Sequence, residues 1–256
     1  MASRVSDKEL DEMIERYKDG ESQEYIADKI GRASGTISRL LNKSNKVEVR
    51  SLSEANTTCT LDHNVFENIN SEETTYWIGF LMGDGSINDK SAGNDDIILQ
   101  LGEIDENHLK DYRNFLGSNH SIYREEKEDL QDGLRVTVTS KKIVEDLAKY
   151  GIKPRKAKTA TTCDKLKNNR HYWRGLIDAD GCLSFYENET GERLELFLTG
   201  SQTNCGMFKE WCSQFIDSEA NINQKPSGAY IYRATNDRAK IIAKKLYQDA
   251  EIYLDR

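Results

Sequence analysis

Tyr172-Trp173-Arg174-Gly175-Leu176-Ile177-Asp178-Ala179-Asp180-Gly181 decides the fold, because the chain carries the stretch twice: Tyr76-Trp77-Ile78-Gly79-Phe80-Leu81-Met82-Gly83-Asp84-Gly85 stands 96 residues earlier. Each copy opens on a Tyr-Trp pair, runs through apolar residues, ends in Asp-Gly and reads as one short helix. Gly79 and Gly83, and likewise Gly175 and Ala179, stand four apart, which gives each helix a stripe of small residues where another backbone can come close. The glycine after each acid suits the left-handed position at which helices end. Asp84 and Asp180 then sit at helix C-termini, where the macrodipole disfavours an anion by roughly 0.3 to 1 kcal/mol. If the helices pack side by side the carboxylates meet, and at about 4 to 6 Å they repel by roughly 3 to 4 kcal/mol at an effective dielectric of about 20. A divalent cation offsets such a pair.

These residues resemble the LAGLIDADG homing endonucleases. The second copy matches the family signature at Gly175, Leu176, Ile177, Asp178, Ala179, Asp180 and Gly181; the first is looser, with Met82 where the earlier acid of the signature stands. In that family the earlier acid is dispensable and the later one binds metal, so the resemblance points to Asp84 and Asp180.

At 256 residues the chain has ample length for a core. No apolar run reaches the roughly 18 residues of a membrane span, and the N-terminus lacks a signal-peptide pattern, so a soluble intracellular protein, cytoplasmic or nucleoid-associated, is expected. Five cysteines without zinc-ligand spacing read as reduced thiols. The net charge of -8 argues against a nucleic-acid partner until its distribution is read. Residues 1–31 hold nine acids and five bases, 32–50 five bases and one acid, and 153–170 seven bases and one acid. A local basic stripe decides where a polyanion can lie, although a solvated basic face explains either stripe taken alone.

From the N-terminus, residues 1–45 read as three short helices, over about 7–17, from the cap Ser22 to Gly31, and from Ala33 or Ser34 through Leu41. The segment SQEYIADKIGRASGTISRLL resembles the helix-turn-helix of resolvases and many repressors, with Ile26 and Ala27 as the Ile-Ala pair, a turn at Gly31, and Ile37 and Leu41 as core positions. That resemblance implies a third helix in the major groove, with Arg32, Ser34, Thr36, Arg39 and Lys43 on DNA. A three-helix body that only packs on the rest of the chain is the alternative. Residues 46–64 are polar and read as a linker.

Two similar halves follow, 65–160 and 161–256. In the first, strands are expected from Ile87, over 96–104, 121–125 and 134–139, and helices over 105–116 and 142–150. In the second, strands are expected over 183–187, 193–198, 221–224 and 229–234, and helices over 207–216 and 237–249. The acidic tract 125–132 reads as a solvated turn. Asp84 and Asp180 are 96 apart, as are Trp77 and Trp173, while Tyr112 and Trp211, like Leu147 and Leu246, are 99 apart. One duplication with small indels explains all four offsets. The expectation is an α+β fold of tandem αββαββα repeats forming a DNA-binding saddle, with the central helices between the halves and a small all-α domain in front.

The resemblance implies a monomer with pseudo-twofold symmetry that hydrolyses one phosphodiester on each strand of duplex DNA. Mg²⁺ or Mn²⁺ would be held by Asp84 and Asp180, and Mg²⁺ suits carboxylate and phosphate oxygens. The family's water-orienting polar position falls on Glu103 and Gln202. In LRVTVT the period of two puts Arg135, Thr137 and Thr139 on one face, the candidate DNA face, although plain solvent exposure explains the same alternation. The segment GIKPRKAKT resembles the family's basic segment, with Lys156 the best match and Lys153 or Lys158 beside it. The matching place in the second half follows Leu254-Asp255-Arg256, where the sequence stops; the second lysine is either absent or replaced by Arg256, Lys244 or Lys245. Two other readings stay open. A regulator on the same fold without cleavage typically loses the acids that are kept here, and an intron maturase has less use for a duplex reader at its N-terminus. Intron-encoded and free-standing gene contexts are both compatible with the sequence.

Overall fold

The computed structural model describes residues 5–19, 21–44, 46–47, 49, 59–88, 95–125, 133–156, 161–188, 191–217 and 222–255. Most of the expected linker, the acidic tract 126–132, Lys158 and Arg256 lie outside the described residues. The chain divides into two compact units, Met1–Asp62 with Gln100–Val138, and His63–Leu99 with Thr139–Arg256.

The first unit holds helices α1 (Asp7–Lys18), α2 (Gln23–Ile30) and α3 (Ser34–Ser44), the first two started by serine caps. The Ser6 hydroxyl accepts from the Glu9 backbone while the Glu9 carboxylate accepts from the Ser6 N–H, a capping box. Ser22 caps α2, and Gly31 ends it at φ 67, a left-handed conformation that glycine adopts without steric cost. Met13, Ile14, Tyr17, Ile26, Ala27, Ile37 and Leu41 close into one core between the three helices. The same unit holds α5 (Glu106–Phe115) and the pairing of β3 (Tyr123–Glu125) with β4 (Gly133–Thr139), in which Tyr123 faces Arg135 and Arg124 faces Leu134.

The second unit is organised on α4 (Glu72–Gly83) and α7 (Arg170–Asp180), the two copies of the opening stretch. Ser71 caps α4 and the Asn169 side chain caps α7, accepting from His171 and Tyr172. This unit also holds β1 (Gly85–Asn88), α6 (Lys141–Lys149), β5 (Gly181–Asn188), β6 (Gly191–Gly200), α8 (Gln202–Cys212), β7 (Ile222–Gln224), β8 (Tyr230–Thr235) and α9 (Asn236–Tyr247). With β2 (Asp96–Gly102), the strands make two four-stranded antiparallel sheets of like order, β1-β2-β4-β3 and β5-β6-β8-β7; the division between the units falls within β2 and β4. The expected α+β architecture and its repeat are both present.

Three local expectations differ. Gly85 and Gly181 are not left-handed: Gly181 is extended at φ -108, and the glycines are needed for space instead. A Cβ at Gly85 would stand 2.7 Å from the Leu81 carbonyl oxygen, and one at Gly181 2.6 Å from that of Ile177. Helix α8 begins at Gln202 rather than Met207, because Ser201 caps it by accepting from the Asn204 N–H. Strand β2 stops at Gly102, and residues Glu103–Asp105 form a turn of 3₁₀ helix.

Candidate active site at the paired helix ends

Helices α4 and α7 touch backbone to backbone. A Cβ built on Gly79 would lie 2.0 Å from the Tyr172 carbonyl oxygen, and one on Gly175 would lie 2.1 Å from that of Tyr76. The contact is reciprocal at matching positions of the two copies. Trp77 and Trp173 are fully buried, and Trp173 packs against Phe208 and Trp211. Further along the stripe a Cβ on Gly83 would meet the Ala179 Cβ at 2.5 Å and the Asp180 carboxylate carbon at 3.1 Å. The side chain of Asp180 therefore lies against the end of α4 at Gly83, the residue before Asp84, which caps that helix.

Lys156 completes the cluster. It is 9% exposed and donates to the Gly83 carbonyl oxygen at 3.0 Å, satisfying one of the orphan carbonyls of the helix end. Burial pushes its pKa down, although the charges of Asp180 and Asp84 pull it up. Asp180 is open to solvent on one side, yet protein surrounds it closely enough that burial pushes its carboxyl up, with Lys156 acting against the shift. Asp84, Asp180 and Lys156 are thus together in one unit. Among the described residues no third His, Cys, Asp or Glu joins the two aspartates as a metal-binding group.

The other sequence-derived positions are placed as follows. Gln202 is the exposed first residue of α8. Glu103, in the first unit, opens the 3₁₀ turn after β2, and Arg124 holds its carboxylate at 2.6 Å. Along β4, Leu134, Val136 and Val138 are buried, Arg135 and Thr137 are half-buried and Thr139 is exposed, the alternation expected of a two-faced strand. The Thr139 hydroxyl donates to Asp96 at 2.7 Å. On α3, Ser34, Arg39 and Lys43 are exposed and Thr36 is half-buried, while Arg32 pairs with Glu9 of α1 at 3.2 Å. Lys153, Lys244 and Lys245 are exposed; Lys245 lies over the Phe215 ring.

Two features were not found from sequence. On the second sheet, Leu194, Leu196 and Leu198 share one face of β6, which puts Glu195, Phe197 and Thr199 on the other. There Lys225 donates to Thr199 at 3.1 Å and lies over the Phe197 ring, and Arg233 pairs with Glu195 at 2.8 Å. Second, α7 carries a buried polar cluster. The fully buried Arg174 donates to the carbonyl oxygens of Ile252 and Leu246, both at 2.8 Å, and to Glu72 at 2.5 Å. Asp178 accepts from Tyr76 at 2.8 Å, Tyr247 at 2.5 Å and the Leu254 N–H at 2.8 Å; burial pushes its pKa up against those bonds. The earlier acid of the motif is thus used to bind the chain's last described segment.

No protein-family model matches the chain. No curated protein matches it either. Among solved structures, the I-LtrWI LAGLIDADG homing endonuclease bound to target DNA is similar with a TM-score of 0.50 and 13% identity, over 76% of this chain and 86% of that one. The LAGLIDADG meganuclease I-AabMI bound to uncleaved DNA gives 0.47 and 13% over 67% and 83%, and the homing endonuclease I-GzeII in complex with its DNA target 0.47 and 11% over 68% and 84%. At such identities the likeness is one of fold, and the first of them carries it: the two-sheet body has the LAGLIDADG homing-endonuclease fold.

Proposed function

We propose that this protein is a site-specific endonuclease that cuts both strands of duplex DNA with a divalent metal, and that its three N-terminal helices act as a helix-turn-helix that adds to target recognition. The observation that carries the reading is the delivery of Asp84 and Asp180 to one place by two tightly packed helices, with buried Lys156 beside them. Fold likeness to the I-LtrWI homing endonuclease, solved bound to its target DNA, supports it.

The donor set fits Mg²⁺ or Mn²⁺. Two hard carboxylates at helix ends, one of them disfavoured in its charged form by burial, suit a site completed by waters and a substrate's phosphate. Asp84 and Asp180 would hold the metal, which when bound polarises a phosphate and lowers the pKa of a water. The chain's own residues do the rest. The packed helices fix both carboxylates before the substrate arrives, so little ordering is left to the reaction. Lys156, anchored on Gly83, presents a cation where phosphate charge develops. Gln202, the exposed first residue of α8, would orient water. Arg135, Thr137 and Thr139 on the first sheet, and Arg39, Lys43, Ser34 and Thr36 on α3, would contact DNA; Arg32 would exchange Glu9 for a phosphate.

Incubation with a randomised duplex library in Mg²⁺ or Ca²⁺, with sequencing of cut and retained molecules, tests this. Ends with short 3′ overhangs in Mg²⁺ alone are expected. Asp84→Asn and Asp180→Asn are expected to stop double-strand cleavage and leave binding within about twofold. Retained but uncut DNA in both ions would identify a non-cleaving DNA-binding protein instead.

A further inference from the structure

The seam between α2 and the first sheet's elements is built from charge. Tyr25, 3% exposed, donates its hydroxyl to one Glu106 oxygen at 2.5 Å, and Lys29 donates to the other at 2.9 Å. Lys110, one turn along α5, pairs with the same carboxylate at 3.1 Å. Burial opposes the Glu106 charge, but these three donors more than offset it and hold its pKa down to about 2. Three residues along α2 from Tyr25, Asp28 pairs with Arg124 of β3, which also grips Glu103. Behind them Glu21, 2% exposed, takes Arg16 at 3.2 Å and lies 4.0 Å from Lys110.

Such a seam resists sliding. An apolar face tolerates a shift of an ångström, whereas a charged hydrogen bond weakens steeply once donor and acceptor leave their narrow range of distance and angle. The seam consumes Tyr25, Asp28 and Lys29 of α2 and leaves Ser34, Arg39 and Lys43 of α3 exposed. We infer that the α2 seam locks the three-helix body onto α5 and β3, so that α3 and the open face of β4 read two segments of one duplex at a single spacing and helical phase. The inference rests on the DNA-binding reading above. It makes Tyr25, Lys29, Glu106 and Arg124 positioning residues for specificity, acting on DNA only through the placement of α3.

The test uses the full chain and a target recovered from the library. B-DNA turns once in about 10 to 10.5 bp, so inserting about 5 bp between the outer and inner segments puts them on opposite sides of the duplex. The parent should lose at least about tenfold in affinity with 5 bp inserted and recover part of it with 10 bp. Glu106→Gln, and separately Lys29→Ala, should bind the unaltered target more weakly yet tolerate the 5 bp insertion within about threefold. On the free protein, amide exchange in α2 should quicken in Glu106→Gln while α4 and α7 keep their protection. Equal tolerance of the insertion by parent and variants, or unchanged exchange in α2, would overturn the lock. A target whose affinity is untouched by Arg39→Ala with Lys43→Ala would overturn the reading of α3 beneath it, whatever the exchange shows.

Discussion

Gly79→Ala is the sharpest probe of the helix pair. The added methyl would start 2.0 Å from the Tyr172 carbonyl oxygen and 2.9 Å from its carbon, both backbone atoms that cannot rotate away. Real Cβ atoms essentially never come within 3.0 Å, so α4 and α7 must separate by about 1 Å. A gap of that size forfeits roughly a quarter to a half of each contact's attraction across the seam, and overpacking in a close-packed interior typically costs about 1 to 3 kcal/mol. Against this, alanine is better than glycine in a helix by about 1 kcal/mol. Because both clashing atoms are backbone, the cost should sit at the top of that range, and the net loss should be about 2 kcal/mol, or roughly 4 to 8 °C in melting temperature for a chain of this size. Gly206→Ala in α8 is the control, since nothing lies within 4 Å of its Cβ; there only the propensity gain remains, and the protein should melt about 1 to 4 °C higher. Differential scanning calorimetry of parent and both variants decides the matter. A Gly79→Ala protein that melts at or above the parent would refute the close backbone packing, and with it the placement of Asp84 beside Asp180.

Lys156→Met removes a cation on which both aspartates act, so calorimetric titration with Ca²⁺ should show tighter metal binding while, on the proposed function, cleavage in Mg²⁺ slows by at least about tenfold; weaker Ca²⁺ binding would contradict the role given to the lysine. In metal-free protein the raised pKa of Asp180 means the fold favours the protonated carboxyl, so its stabilising effect is complete below the unfolded pKa and is lost as pH rises through the folded one; Asp180→Asn should abolish that part of the pH dependence of melting, leaving a protein no less stable than the parent near neutrality. For the buried cluster of α7, Arg174→Met alone should cost about 3 to 5 kcal/mol, because Asp178 and Glu72 lose their charged partner, while Arg174→Ile with Asp178→Met, the residues the first copy carries as Ile78 and Met82, should cost clearly less than the two single changes added together in urea denaturation.

What the sequence disclosed was whatever repeats or has a period. The duplicated stretch gave the central helices and their stripe of small residues, and alternation in LRVTVT separated Arg135, Thr137 and Thr139 from the buried Leu134, Val136 and Val138. Lys156 came from the resemblance of GIKPRKAKT to the family's basic segment, with Lys153 or Lys158 beside it, and the fold seats Lys156 on the Gly83 carbonyl. Partners far apart in the chain left no such trace. Arg174 interrupts an apolar helix, and a local pattern would turn it to solvent; its acceptors come from residues 246, 252 and 72, and only the folded chain gathers them. The glycines after Asp84 and Asp180 were visible, but their reason was misread, since a crowded helix end and a left-handed one call for the same residue. In the same way Glu103 offered a carboxylate at the right register, and nothing nearby in sequence announced Arg124 on it.

The two copies have diverged in a way that divides labour between them. The first keeps apolar Ile78 and Met82 where the second has Arg174 and Asp178, and Lys156 reaches the helix ends from the segment that follows the first repeat. In the second copy, the matching stretch of chain is tied instead to Glu72, Arg174 and Asp178 through the Glu251 N–H, the Ile252 carbonyl and the Leu254 N–H. A segment held by its backbone at three places is fixed in path whatever its side chains do, and such bonds are the kind whose loss leaves buried groups unsatisfied. The polar cluster of α7 therefore has a directional consequence: it holds residues 251–254 in one path against the central helices. Asp178→Ala should for this reason speed amide exchange at Leu254 and at Glu251 together, although the Glu251 N–H bonds to Glu72 rather than to Asp178. Faster exchange at Leu254 alone would mean the two anchors act independently, and the cluster would then be a set of separate bonds rather than one clamp.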